Sequence, residues 1–407
     1  MRILYNIGIV LFTWLIRLAS PFNEKARLWI NGRKNWFEEL SKKISSSERY
    51  VWIHCASLGE FEQGRPVIEA VKKEKPHVKI ILTFFSPSGY EVRKNYSQAD
   101  IVCYLPADTP GNADKFINLI DPAVVIFVKY EFWNNYISIL GRKKIPLYLI
   151  SGIFSREQHF FRWYGGFFRK ILSNFSWFFV QDNNSLELLG GAGFNNVTTA
   201  GDTRFDRVLE ISGNAKAISQ IERFRGDEKL FLAGSTWRRD EEIITEYINR
   251  DPLKMKWVFA PHEISKANID NLTRLLKTRY IRFSEFTEND SDARVLIMDN
   301  IGMLSSAYRY AFIAAVGGGF GKGIHNILEP ACWGVPVLFG PEHRKFREAC
   351  ELIELGGAFP FNDFRSFEQI MENLLRDEQF CSRSAEISKK YVAGNAGATR
   401  KIMQGIT

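Results

Sequence analysis

Five glycines within seven residues, Gly317, Gly318, Gly319, Gly321 and Gly323, sit between two short apolar runs and constrain this chain more than any other stretch. The run Phe312 to Val316 is short enough to be a buried strand, the segment His325 to Trp333 is compatible with a helix, and Val335 to Phe339 is a second strand ending in Gly340-Pro341. Strand, glycine loop, helix and strand make one βαβ unit of a parallel sheet, with a right-handed connection. Glycines there let backbone N–H groups approach a ligand, and a helix N-terminus adds a partial positive charge, so an anion is the natural occupant. Glu329 follows His325 by four residues and would share its helix face, where a carboxylate suits the two hydroxyls of a ribose. The plainer alternative is a tight turn followed by a solvated glutamate, because the spacing is not the dinucleotide fingerprint.

At 407 residues the chain has room for two domains. Hydrophobic residues at 45% and charged ones at 25% describe a folded body and exclude a disordered one. A formal charge of +8 points to an anionic partner. Without a lysine tail or a repeated RNA-binding module, no nucleic-acid partner is expected. The five cysteines form no CxxC pair, which fits a reducing compartment and argues against structural zinc.

Ile3 to Ala19 is strongly apolar, and at about 1.5 Å per residue nearly spans a hydrocarbon core of roughly 30 Å. Arg17 stands where a signal peptide would be cleaved, so the segment reads as an uncleaved anchor, spanning the membrane or dipping into it. Trp14, Phe22, Trp29, Trp36 and Phe37 suit a membrane interface, and Lys25, Arg27, Arg33 and Lys34 would hold the body on the cytoplasmic side. A buried amphipathic helix is the competing reading. Beyond it, Tyr50–Cys55, Ile80–Phe85, Val124–Val128 and Leu147–Ile150 read as strands separated by helices, the pattern of an open parallel sheet. Ligands of such sheets lie outside the carboxyl ends of the strands, where the loop holding Glu60 falls. Capping the helix that follows is the other role open to that glutamate. Further on, Phe154 to Phe179 mixes rings with Arg156, Arg162, Arg169 and Lys170, as an amphipathic face resting on anionic lipid would.

The string GKGIHNILEPACWGVPVLFGP resembles the nucleotide-binding stretch of GT-B glycosyltransferases, and its Gly-x-His-Asn-x-x-Glu-Pro core is most similar to the Kdo (3-deoxy-octulosonic acid) transferases. HCASLGEFEQGRPVI resembles the acceptor-side motif of that family, whose glutamate after glycine is the proposed general base; the resemblance gives that role to Glu60. KYEFWNNY matches a motif with two glutamates flanking one residue, except that Lys129 stands at the first; Glu131 at the second either positions an acceptor hydroxyl or pairs with a cation. Further departures put Ile153 where the family often has arginine, Trp237 and Arg239 for histidine and glycine, and Pro261 for the arginine before His262.

The resemblance implies a GT-B α/β fold: two Rossmann-like parallel-sheet domains facing across a cleft, with an N-terminal anchor helix. The expected divisions are 1–35 anchor, 36–210 acceptor domain, 211–383 donor domain, and 384–407 a helix returning to the first domain, with polar linker residues thickening from Val208 to Gly226. The implied reaction moves Kdo from CMP-Kdo to a lipid A precursor with inversion, at the cytoplasmic face of a bacterial inner membrane carrying anionic lipid. On the acceptor side stand Ser57, Gly59, Glu60, Glu131 and Arg156. On the donor side stand Arg204, Ser235, Thr236, His262, Gly318, Gly319, Lys322, Gly323, His325, Asn326 and Glu329. No metal ligand and no cofactor is expected, since preorganised donors can replace a divalent ion and no Asp-x-Asp string occurs. Two rivals are a GT-B nucleotide-sugar epimerase and a non-catalytic lipid-binding relative.

Overall fold

The computed structural model describes residues 1–250, 255–290 and 292–406. Two compact units account for the chain: Met1–Asp206 with Ala396–Thr407, and Arg207–Asn395. The divisions therefore fall a few residues before 210 and a dozen after 383.

The first unit is built on strands β1 (Tyr50–Cys55), β2 (Lys79–Phe84), β3 (Ile101–Tyr104), β4 (Pro122–Val128), β5 (Leu147–Gly152), β6 (Trp177–Val180) and β7 (Val197–Thr199). All pair in parallel, in the order β3-β2-β1-β4-β5-β6-β7. Runs such as PAVVIFV and LYLISG are apolar at successive positions because helices cover both faces. Trp52, Phe116, Phe127 and Tyr136 fill one face, and Phe61, Ile68, Phe84 and Ile402 the other.

The second unit repeats the plan with β8 (Leu230–Thr236), β9 (Lys256–Pro261), β10 (Tyr280–Arg282), β11 (Val295–Ile297), β12 (Ile313–Val316), β13 (Val337–Phe339) and β14 (Ala358–Pro360). Their parallel order is β10-β11-β9-β8-β12-β13-β14. In each sheet the order reverses beside the first strand, between β1 and β4 and between β8 and β12. Ligands of open α/β sheets bind beyond the carboxyl ends of the strands at such switch points.

Several local expectations are corrected. The stretch from Phe154 to Phe179 forms no continuous amphipathic face: a single 3₁₀ turn (His159–Phe161) and a short helix (Gly166–Leu172) flank a turn at Gly165. A Cβ on Gly165 would meet the His159 carbonyl oxygen at 2.3 Å, so the chain crosses itself there and leaves Trp163 92% exposed. The segment from Val208 to Gly226 is largely helical, within Thr203–Gly213 and Ser219–Arg225. The carboxyl-terminal helix is two, Glu378–Gly394 and Ala398–Gly405, broken before Gly397 (φ 105°). The second belongs to the first unit: Ile402 is buried in its core, and Asp206 accepts the Gly397 and Thr399 N–H groups at 2.5 and 2.6 Å.

The amino-terminal helix, Arg2–Ala19, is long and apolar enough to cross a membrane and buries none of its side chains. Its inner side is nonetheless tied down. The Tyr5 hydroxyl donates to Asp108 at 2.6 Å, Asn6 accepts from the Asn135 amide at 2.9 Å, and Phe12 stacks on Phe85. Arg33 and Trp29 do not face a headgroup layer. The Arg33 guanidinium lies 3.8 Å from the Trp29 ring and donates to the Leu105 and Phe85 carbonyls at 2.8 and 2.7 Å. Burial pulls its pKa down to about 9.

Candidate active site

At the first switch point, β1 ends in Cys55 and the loop runs straight into helix Leu58–Glu74. Ser57 is its N-cap, accepting the Gly59 N–H at 3.2 Å, and its hydroxyl donates to the Glu60 carboxylate. This Ser-x-x-Glu spacing is a capping arrangement, so Glu60 has a structural partner even while half-exposed at the sheet edge. Nothing crowds Gly59, where an added Cβ would meet only Ser57 Oγ, at 3.7 Å. Glu62, two residues on, pairs with Arg93 at 2.9 Å.

The adjacent strand β4 delivers Glu131. Its Oε2 accepts from Trp133 Nε1 at 2.6 Å and stands 3.1 Å from Nε2 of His54, a fully buried residue of β1. Glu131 thus pairs with an imidazole and an indole of its own unit. Sequence reasoning passed over His54 and Thr83. His54 stands in the very string that singled out Glu60, but its partners lie 29 and 77 residues away, and no local pattern announces them. Lys129 (φ 68°) and Ser151 (φ 55°) hold left-handed backbone where β4 and β5 end; such strain persists only where surroundings enforce it and clusters at functional sites. Arg156 is exposed and lines a groove with Arg162, Arg169 and Glu187. Arg169 there braces the loop, donating to the Phe160 and Arg162 carbonyls at 2.8 and 3.1 Å.

At the switch point of the second unit, Ser235 also takes a left-handed backbone (φ 52°), and the register of β8 against β9 shifts there. The glycine loop packs backbone to backbone. A Cβ on Gly317 would meet Ser235 O at 2.3 Å, and one on Gly319 would meet Gly340 N at 2.6 Å. Gly323 (φ 134°) lies under Lys345 and Phe346. Lys322 is exposed.

One carboxylate already occupies part of this loop. Asp240 accepts the N–H groups of Gly318 and Trp237 at 3.1 and 3.0 Å, and burial pushes its pKa up against those two hydrogen bonds. The Gly318 amide is therefore taken. Thr236 is likewise engaged, its buried hydroxyl donating to Glu241 at 2.8 Å. The helix His325–Trp333 shrinks to Leu328–Ala331, because the Asn326 side chain accepts the Leu328 N–H at 3.2 Å and holds the preceding residues in a turn. So short a helix provides little dipole. Glu329 lies in its first turn, with Oε2 accepting from Ser305 Oγ at 2.7 Å and Oε1 from Asn326 at 3.3 Å.

His262 and His325 come together with Trp237. The rings stack in sequence, Trp237 on His262 at 4.6 Å and His262 on His325 at 4.5 Å, while Trp237 Nε1 donates to His325 Nε2 at 3.1 Å. Burial first, and then repulsion from His262, bring the His325 pKa down to about 4. Arg204 belongs to the first unit and pairs with Asp202 at 2.7 Å.

A family model described as 3-deoxy-D-manno-octulosonic-acid transferase (Kdo transferase) matches residues 33–207. A curated 3-deoxy-D-manno-octulosonic acid transferase of Aquifex aeolicus is 30% identical over 331 residues, covering 80% of this chain and 85% of that protein. The chain belongs to the Kdo transferase family. The Haemophilus influenzae transferase is 26% identical over 87% of this chain and 85% of its own length. A Neisseria meningitidis UDP-GlcNAc 2-epimerase structure matches with a TM-score of 0.60 at 17% identity, over 87% of this chain and 98% of that one, which shows the shared GT-B fold alone. Of the departures from the Kdo transferase motifs, Trp237 has a visible consequence: an indole N–H caps His325 at the place where the motif has histidine. Lys129 packs its ammonium 5.4 Å from the Tyr130 ring centroid, and Pro261 closes β9. Nothing in the structure explains Ile153.

Proposed function

We propose that this chain transfers Kdo from CMP-Kdo to a hydroxyl of a lipid A precursor, with inversion and without a metal. What carries the reading is the family membership together with Glu60 and Glu131 at the carboxyl ends of neighbouring strands β1 and β4, where both carboxylates bear electrostatically on Cys55. Glu60 takes the proton of the acceptor hydroxyl as that oxygen bonds to the anomeric carbon. The bond from that carbon to the CMP phosphate breaks with the electron pair leaving on phosphate, and the configuration inverts. Glu60 must lie within hydrogen-bond reach of the attacking oxygen, and its Ser57 partner turns away for it to do so. The loop at Gly319, Phe320 and Lys322, with Ser235 and the Trp237–His262–His325 stack, binds the anionic donor, and Glu329 with Asn326 addresses its ribose. Neutral His325 gives the donor a hydrogen-bonding edge without adding charge.

For the membrane, we propose that the helix Arg2–Ala19 lies along the first unit and sinks its outer side into the bilayer. The Tyr5–Asp108 and Asn6–Asn135 bonds and the Phe12–Phe85 stack support this reading over a span. The exposed row Ile3, Ile7, Val10, Leu11, Trp14 and Leu18, together with Phe22, is apolar, and Arg17 and Lys25 supply the basic border for anionic lipid at the cytoplasmic face.

Purified protein with CMP-Kdo and a tetra-acylated disaccharide, read by mass spectrometry, should add Kdo and keep doing so in excess chelator. Glu60→Gln should lose about 10²-fold or more in turnover, the lower end of what general-base catalysis supplies, while still binding CMP. No transfer by the parent protein overturns the reaction, and abolition by chelator overturns the metal-free mechanism. Full activity of Glu60→Gln would leave Ser57–Glu60 as a helix cap and nothing more.

A further inference from the structure

We propose that a buried hydrogen-bond chain, Trp52 to Thr83 to His54 to Glu131, holds His54 as the neutral Nε2–H tautomer and thereby aims Glu131 at the acceptor, making His54 and Thr83 positioning residues. The inference rests on reading this unit as the acceptor side.

The direction of the chain follows from which groups can donate. Indole N–H is a donor only, so Trp52 Nε1 donates to Thr83 Oγ1, at 2.8 Å. The same hydroxyl lies 2.8 Å from His54 Nδ1 against 3.5 Å from the Ile53 carbonyl oxygen, so the ring takes its proton, although the Thr83 carbonyl oxygen also stands 3.2 Å from Nδ1. At the far side of the ring, Nε2 is 3.1 Å from Glu131 Oε2. An ionised carboxylate only accepts, so Nε2 must carry the proton; the other tautomer would set a lone pair against that oxygen. Trp133 Nε1, 2.6 Å from the same oxygen and 3.3 Å from His54 Nε2, gives its proton mainly to the carboxylate. Both donors meet at Oε2, which leaves Oε1 to address an acceptor hydroxyl.

The surroundings make the arrangement rigid. Trp52, His54 and Thr83 are fully buried, and Phe127 packs across the imidazole at 5.3 Å between ring centroids. The three polar residues sit on the paired strands β1 and β2, with His54 opposite Thr83 in register. A carboxylate on the loop after β4 is thus fixed through side chains of the sheet interior.

The experiment uses the full chain. In protein labelled with ¹⁵N-histidine, two-bond nitrogen–proton correlation should show His54 with Nε2 protonated and Nδ1 bare. A protonated Nδ1, in the neutral ring or the imidazolium, overturns the proposal. In the transfer assay, Thr83→Val should lower kcat by about two- to tenfold, the worth of a hydrogen bond between neutral groups, with KM for CMP-Kdo unchanged. Thr83→Ser should restore kcat, and His54→Gln, whose amide still offers a donor to Glu131, should retain more activity than His54→Leu. An unchanged kcat in Thr83→Val overturns the proposal, as does a loss that Thr83→Ser fails to restore. Should the parent show no transfer at all, the proposed reaction fails, and the nitrogen spectrum still decides the tautomer.

Discussion

His325 illustrates how much a single ring's setting decides. An imidazole free in water titrates near 6.5, whereas burial and then His262 hold this one at about 4. Between those values the unfolded chain binds the proton more readily than the folded one. The stability this ring contributes is therefore complete above about 6.5 and is lost as the pH falls toward about 4. His325→Gln should show a smaller drop in Tm from about pH 7.5 to about pH 5 than the parent does. An equal drop would mean that other groups set the acid sensitivity. The sequence made His262 visible beside a strand end and His325 at the head of a helix-compatible segment, as separate residues. It could not show that Trp237 joins them, because a stack of three rings from three loops leaves no spacing to read.

Among the elements, the strands were the most legible, since buried parallel strands must be apolar at nearly every position. Helices were less so wherever a side chain competes for the backbone. Asn326 delays the start of the Leu328 helix by accepting its N–H, and Gly165 lets the aromatic segment fold back on itself. The amino-terminal helix was legible as apolar but not as tethered, because Tyr5 and Asn6 reach partners more than a hundred residues away. Its outer residues are free to change without disturbing the fold. Ile7→Glu with Leu11→Glu removes two side chains worth about 1.5–3 kcal/mol each when buried in an apolar medium. Binding to vesicles with anionic lipid should fall at least about a hundredfold while Tm stays put. Undiminished binding would place the membrane contact elsewhere.

At the scale of the molecule, two units of like design fill one chain, and the second is inserted before the first is finished. The helix Ala398–Gly405 seats Ile402 beside Val67, Ile68 and Phe179. Ile402→Ala should therefore cost the first unit about 2–5 kcal/mol, read as an earlier unfolding step when fluorescence of buried Trp52 is followed. No shift would mean the helix is only laid against the surface. The tail from 384 reads as a helix, and its return to the first domain comes from the family resemblance, because periodicity does not say which of two cores a helix serves.

That insertion sets an order of events at the ribosome. Residues 207–395 must all be made between the seventh strand of the first sheet and the helix that closes its core. At roughly 5–20 residues per second this is a delay of roughly 10–40 s. For that interval the apolar Arg2–Ala19 segment is outside the ribosome while the body that tethers it is still incomplete. The first core thus stays open on the side of Val67 and Phe179 until Ile402 arrives.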